Sequence, residues 1–318
     1  MLDIAFIREN PQEIKKACQV KQLDESIVDS LLAIDERRRQ LMSQVQDLRT
    51  QSNKNAEEVK QQVNDSGKPS PELIEKGKQI KAQLKDVEPE LKLVEDEFNE
   101  LLLSVPNVPA ADVPVGVDES GNKIDRIEGD TPEFDFEVKD HQELMENLGI
   151  LDTKRGVNIA GFRGYFLKGD GLLLERAILD YALDIMMKHG FEPMNVPVMV
   201  KKEAMVGTGY FPWGKEDHYK TQDDTILTGT AEVALTAFYA GEMLTEKDLP
   251  IKMAGISPCF RREVGSYGKD TKGIVRVHQF NKVEQVVYTV ADEEVTRDWH
   301  QKMLGFSEEL LKGLGLSY

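Results

Sequence analysis

Residues 260–285 read FRREVGSYGKDTKGIVRVHQFNKVEQ, the most informative stretch of the chain. An apolar run, Ile251 to Phe260, feeds into Arg261, Arg262 and Glu263. A polar loop from Gly265 to Gly273 follows, and a return segment brings back Arg276, Phe280 and Glu284. The pattern predicts strand, loop and antiparallel strand. An arginine fork binds phosphate or carboxylate through two parallel bonds. Glu263 can accept from an amino group, and Phe280 can stack on a base. Such a hairpin can hold a nucleotide between cations and a ring. A solvated hairpin with surface ion pairs and a core phenylalanine fits the spacing as well.

Upstream, Thr228-Gly-Thr-Ala-Glu232 places Thr230 and Glu232 at the start of a helix expected over Ala231 to Gly241. The pair can accept from an ammonium group. It can equally serve as an N-cap with an acid in the first turn. Gly171 to His189 reads as an amphipathic helix stopped by Gly190. Phe191 to Val200 reads as a strand that Pro193 and Pro197 confine to an edge or an irregular position. Tyr165–Lys168, His218–Thr221, Ile251–Ile256 and Val283–Tyr288 are further strands. The close spacing of the later ones favours an antiparallel sheet, so residues 131–318 are expected to form an α+β domain.

Residues 27–103 carry apolar positions at alternating spacings of three and four. Leu31, Ile34, Leu41, Val45, Leu48 and Val59 form one series; Leu73, Ile80, Leu84, Val87, Leu91, Val94, Phe98 and Leu101 form another. Breakers at residues 64–71 separate them, which predicts an antiparallel coiled-coil hairpin. Pro89 lies off the seam and is expected to kink the second helix. Asn10-Pro11 should start a short helix before the arm, with Asn10 as its cap. Residues 1–105 are therefore read as a helical domain and 106–130 as a linker rich in Pro, Gly and Asp. Seven lysines (54, 60, 68, 76, 78, 81 and 85) fall toward the distal half of the hairpin, mixed with acids. The hairpin is either a spacer or dimerisation element, or an arm that grips an elongated ligand.

The chain has 318 residues, 40% hydrophobic and 31% charged, enough for two domains of ordinary soluble composition. No apolar run is long enough to span a membrane, and the first residues do not read as a signal peptide. Cys18 and Cys259 make neither a disulfide framework nor a zinc spacing, so a cytoplasmic location is expected. The five histidines are scattered, and no metal-ligand cluster is visible. A net charge of −17 argues against nucleic-acid binding unless the cations cluster on one surface.

Together the helical arm, PNVP at 106–109, MVGTGYFPWG at 205–214, TGTAEV at 228–233 and the 260–285 hairpin resemble bacterial-type seryl-tRNA synthetases, and the likeness runs the whole length of the chain. These are class II aminoacyl-tRNA synthetases, and the 260–285 hairpin resembles their motif 2. The resemblance implies a class II antiparallel sheet domain behind a coiled-coil tRNA arm. It implies a ligase that activates L-serine with ATP and transfers it to serine tRNA, with selenocysteine tRNA as a further candidate. Thr230, Ala231, Glu232 and Glu284 would form the serine pocket. Arg261 would hold the α-phosphate and the reacting carboxylate as the catalytic residue. Arg262, Glu263, Arg276, Val277 and Phe280 would complete the ATP site, with Glu263 on the adenine amino group and Phe280 on the ring. Phe191 to Val200 resembles motif 1, which implies a homodimer. Magnesium is implied too, its glutamate ligand lying in a region of the family beyond Tyr318 together with a further serine contact and the motif 3 arginine. The expectation is that the sequence is the N-terminal portion of a longer protein. The rival is a synthetase-derived chain that binds tRNA or a partner without catalysis.

Overall fold

The computed structural model describes residues 2–264 and 273–318; Gly265–Lys272, within the loop singled out above, lie outside the described residues. The chain forms two compact units, residues 1–123 and 124–318.

The first unit is helical. Helices α1 (Ile4–Glu9) and α2 (Pro11–Val20) precede two long helices, α3 (Ser26–Ser66) and α4 (Pro71–Ser104). Pro11 occupies the first turn of α2 as expected, but the Asn10 side chain does not cap it. Its amide donates instead to the Phe6 carbonyl at 3.0 Å, satisfying the end of α1. At 1.5 Å per residue the arm helices run about 60 and 50 Å. Gly67 ends α3 in the left-handed region, and the Ser70 hydroxyl caps α4 by accepting from the Leu73 N–H. Helix α4 continues through Pro89, whose missing N–H lies on the exposed side.

Leu31, Leu41, Val45, Leu48, Ile80 and Phe98 are buried along the seam. At the root, Ile7, Ile14, Cys18 and Val28 join Leu31, Phe98, Leu102 and Val105 in one core. Two polar residues of the arm are buried with these apolar ones. Asp35 is 2% exposed, its carboxylate 2.6 Å from Arg8 Nε and 3.1 Å from Arg38 Nη2. Burial opposes its ionisation, but the two guanidinium hydrogen bonds prevail and hold its pKa below the ordinary carboxylate value. Arg38 also lies 4.1 Å above the Phe98 ring. Farther out, buried Asn55 donates to the Leu73 carbonyl at 3.2 Å. Gly77 faces it so closely that a Cβ there would fall 2.9 Å from the Asn55 amide nitrogen.

The second unit mixes strands and helices. In chain order these are α5 (His141–Asn147), β1 (Leu151–Asp152), α6 (Thr153–Ala160), β2 (Phe166–Leu167), α7 (Asp170–Lys188), β3 (Glu192–Asn195), β4 (Met199–Val200) and α8 (Lys202–Gly207). There follow β5 (Tyr219–Lys220), β6 (Ile226–Leu227), α9 (Glu232–Thr236), β7 (Ile251–Phe260), β8 (Gln279–Tyr288) and α10 (Glu293–Gly313). The β7–β8 hairpin is antiparallel, with Glu284 opposite Gly255 and Phe280 opposite Cys259.

Residues 191–200 do not form one strand. The chain breaks at Val196–Val198, beside Pro197: β3 pairs with β7, whereas β4 joins a separate antiparallel sheet in the order β4-β6-β5. The β3–β7 pair is parallel, so the main sheet is mixed rather than antiparallel throughout. Two consecutive hairpin strands cannot show this in sequence, because the partner β3 comes more than fifty residues earlier. Pro193 is tolerated because β3 is an edge strand.

Alternation along β7 and β8 fixes two faces. Ala254, Val283 and Val287 pack with Ile185 and Met186 of α7 and Phe306 and Leu310 of α10. Met253, Val286 and Tyr288 face the other way, against Ala231 and Leu235. Phe280, Lys282 and Glu284 share that second face by the period of two, which is why the chemistry gathers beside α9. The helix expected over residues 231–241 is shorter, Glu232–Thr236, and the Tyr288 hydroxyl lies 2.7 Å from both the Leu235 and Thr236 carbonyls near its end.

Candidate active site

The start of α9 and the middle of β8 meet through side chains. The Thr230 hydroxyl donates to Glu284 Oε2 at 2.5 Å and accepts from Lys282 Nζ at 2.8 Å. Lys282 also pairs with Glu284. Thr230 further accepts from the Glu232 N–H at 3.2 Å, so it supports the helix start as well as the cluster. Glu232 in turn accepts from the Tyr210 phenol at 3.0 Å. Burial, then the neighbouring Glu232 charge, push the Tyr210 pKa far above its ordinary value, so the phenol stays a donor. Ala231 is fully buried and adds packing, not a polar group.

At the mouth of the hairpin, Arg261 continues the ladder: its N–H donates to the His278 carbonyl at 2.9 Å. Its guanidinium carbon stands 5.1 Å from the Phe280 centroid, and its Nε donates to the Gly229 carbonyl at 3.3 Å. Glu263 turns back at φ 54°, a conformation uncommon for a residue with a Cβ. Its carboxylate lies 2.7 Å from Arg276 Nη1 and 3.7 Å from Arg163 Nη1. Val277 is buried beneath. Arg262 does not join this group; its Nη1 donates to the Glu216 carbonyl at 2.8 Å.

Two clefts share Arg261 and Glu263. One of about 300 Å³ is bounded by Tyr210, His218 and Gly229 as well. The other, of about 400 Å³, is bounded by Ile274, Arg276, Val277 and Phe280. Larger clefts exist, one of about 590 Å³ lined by Met194, Pro197, Met199, Ala234 and Phe238, but its lining is mostly apolar, with Lys201 and Glu203 as its charged residues and no arginine. Arginines, a stacked ring and a hydroxyl–carboxylate cluster side by side suit an anionic, planar ligand next to a small amino-acid-like one.

Three residues of this arrangement escaped the sequence reading. Lys282 had a signal, since it sits two residues before Glu284 on the same strand face. Tyr210 lies in the quoted 205–214 segment but had no role attached. Arg163 had no signal, because it reaches Glu263 from a loop a hundred residues away.

Comparison with known proteins identifies the family. Residues 1–109 match the seryl-tRNA synthetase N-terminal domain, and residues 216–318 match the class II tRNA synthetase core domain (G, H, P, S and T). The serine–tRNA ligase of Deinococcus radiodurans is 43% identical over the whole of this chain, which spans 74% of that protein. That of Thermobifida fusca is 39% identical with the same coverage. The crystal structure of Pyrococcus horikoshii seryl-tRNA synthetase complexed with ATP superposes with a TM-score of 0.88 at 35% identity, over all of this chain and 76% of that one. The Naegleria fowleri cytoplasmic serine–tRNA ligase in complex with AMP gives 0.84 at 32% identity, over all of this chain and 74% of that one. On sequence and fold alike, the chain belongs to the seryl-tRNA synthetase family, the serine–tRNA ligases among the class II aminoacyl-tRNA synthetases.

Proposed function

We propose that the paired clefts activate L-serine with ATP and pass the seryl group to serine tRNA, selenocysteine tRNA being a further candidate. The observation that carries this is the Thr230–Glu284 hydrogen bond set beside Arg261 and Phe280. In this reading the serine hydroxyl and ammonium are read by Thr230, Glu232 and Glu284. Alanine would leave those buried and half-buried groups unpaired, a loss worth about 10⁴-fold in discrimination. Adenine lies on Phe280 along Val277, with its amino group at Glu263. Arg276 faces the phosphates, and Arg262 is an outer contact. A serine carboxylate oxygen, held by Arg261, attacks the α-phosphorus in line; the bond to the β-phosphate oxygen breaks and pyrophosphate leaves. A terminal ribose hydroxyl of the tRNA then attacks the seryl carbonyl carbon and AMP leaves. Arg261 supports both charge shifts by position rather than by covalent chemistry.

Among the described residues no group of three or more His, Cys, Asp or Glu side chains could hold a metal ion. These residues do not build a magnesium site.

The domain reading of residues 1–105 as a tRNA arm rests on its length and on the seven distal lysines, all exposed. They suit a phosphate backbone read by shape. Residues 106–130 act as the linker and 131–318 as the catalytic domain. Exposed Met199 and Phe238 beside the motif 1-like strand suit a homodimer. Among the described residues no helix is long and apolar enough to cross a membrane. The two cysteines are free and buried, which suits a reducing cytoplasm.

The test is serine-dependent ATP–pyrophosphate exchange, with alanine and threonine as controls and Arg261→Ala alongside. Serine-specific exchange that the variant loses supports the reading. Exchange indifferent to the amino acid or to Arg261 refutes it. No exchange together with retained tRNA binding supports the non-catalytic alternative.

A further inference from the structure

Helix α5 lies far from the hairpin in sequence, yet it holds the hairpin's return arm. The Ile274 N–H donates to His141 Nε2 at 3.1 Å, and the Gly273 N–H donates to Gln142 Oε1 at 2.9 Å. The fit is close: Gly273 has φ 68°, and a Cβ there would fall 1.9 Å from His141 Nε2. Gly273 thus has two separate reasons to be glycine, its left-handed backbone and the imidazole against it.

The other end of this contact is fixed too. The Gln142 amide donates to Glu146 at 3.0 Å and to the Thr153 hydroxyl at 3.2 Å. Thr153 donates to Glu146 at 2.5 Å and begins α6. The loop after α6 delivers Arg163 to Glu263. From the opposite side, the return arm delivers Arg276 to the same carboxylate, two residues beyond the atom His141 holds. Two routes from α5 therefore converge on Glu263, one through α6 and one through Gly273–Ile274. None of the α5 residues lines either cleft.

We propose that His141 and Gln142 are positioning residues for the nucleotide cleft, clamping Gly273 and Ile274 so that Arg276 and Glu263 are set before the nucleotide arrives. The inference rests on the reading of that cleft as the ATP site. His141 must present Nε2 as an acceptor, so its proton resides on Nδ1. A glutamine side-chain oxygen can replace that acceptor; alanine cannot.

Two measurements separate the clamp from the functional reading. Hydrogen–deuterium exchange of the peptide spanning residues 273–277 needs no substrate. His141→Ala should speed exchange there, and His141→Gln should restore much of the protection. In pyrophosphate exchange, His141→Ala should raise the KM for ATP by roughly three- to tenfold, the range expected for one neutral hydrogen bond. The kcat and the KM for serine should stay within about twofold, and His141→Gln should recover part of the ATP effect. Unchanged exchange at 273–277 overturns the clamp. So does a loss shared equally by kcat, ATP and serine, which would mark a merely structural residue. A wild-type protein without serine-dependent exchange would sink the functional reading instead, while the amide protection would still decide the clamp.

Discussion

Replacing Asp35 by alanine should weaken the root of the arm by about 2–3 kcal/mol. Removing one partner of a fully buried ion pair costs about 3–5 kcal/mol. Asp35 is almost wholly buried, but the side chains of Arg8 and Arg38 are 34% and 20% exposed, so water relieves part of the penalty. With a urea slope of about 1–3 kcal/mol per molar, the unfolding midpoint followed by far-ultraviolet circular dichroism should drop by about 0.7–3 M. The pH dependence has a definite sign. The folded pKa of Asp35 lies below its unfolded value, so its contribution is present above about pH 4 and is lost as pH falls through the folded value. Wild type and variant should therefore converge in acid. Replacing Asp35, Arg8 and Arg38 together by leucine and methionines should recover most of the loss, because no charge is left unpaired. If the arm grips tRNA, Asp35→Ala should raise the KM for tRNA in charging and leave pyrophosphate exchange alone. A midpoint shift below about 0.3 M, or a difference that persists unchanged in acid, would refute the account of Asp35 as the charged keystone of the root.

Thr230→Val keeps the shape but removes a hydroxyl with three hydrogen-bond partners, two of them charged. Serine KM in pyrophosphate exchange should rise by about ten- to a hundredfold with ATP KM unchanged, the range for hydrogen bonds to charged groups; equal effects on both substrates would show that the pocket is misplaced. Tyr210 is held protonated by burial and by Glu232. In an ultraviolet titration the difference between wild type and Tyr210→Phe should stay flat through the ordinary tyrosine range at about pH 10, and a phenolate step there would contradict the buried contact. Tyr288→Phe removes the hydroxyl bonded at the end of α9 and should cost about 1 kcal/mol in thermal unfolding. A melting point at or above wild type would count against that hydroxyl as a stabilising contact.

What the sequence made legible followed from local periodicity. The 260–285 hairpin showed itself through an apolar strand, a polar loop and a return strand, and the arm through its three–four spacing. Asp35 was invisible because it falls one position after Ile34, off the apolar series, and looks like a surface acid until Arg8 arrives from another helix. The parallel β3–β7 pair and the break at Pro197 depend on which strands meet in space, and no local pattern encodes that. The structure brings Thr230, Glu232, Glu284, Arg261 and Phe280 into one neighbourhood, while Arg262 turns to Glu216. His141 and Arg163 act across a hundred residues or more, and only folding puts them beside Gly273 and Glu263.

Asn55 gives the arm a fixed scale. Its amide sits against Gly77 and reaches the Leu73 carbonyl in a single alignment of the two helices. A slip of one heptad, about 10.5 Å along the axis, would bring Leu84 opposite Asn55 and strand a buried amide, at about 1–3 kcal/mol. The apolar seam alone would tolerate such a slip, since its repeat looks the same seven residues on. One polar notch therefore turns a sliding pair of rods into a ruler whose tip stands at a set distance from its root.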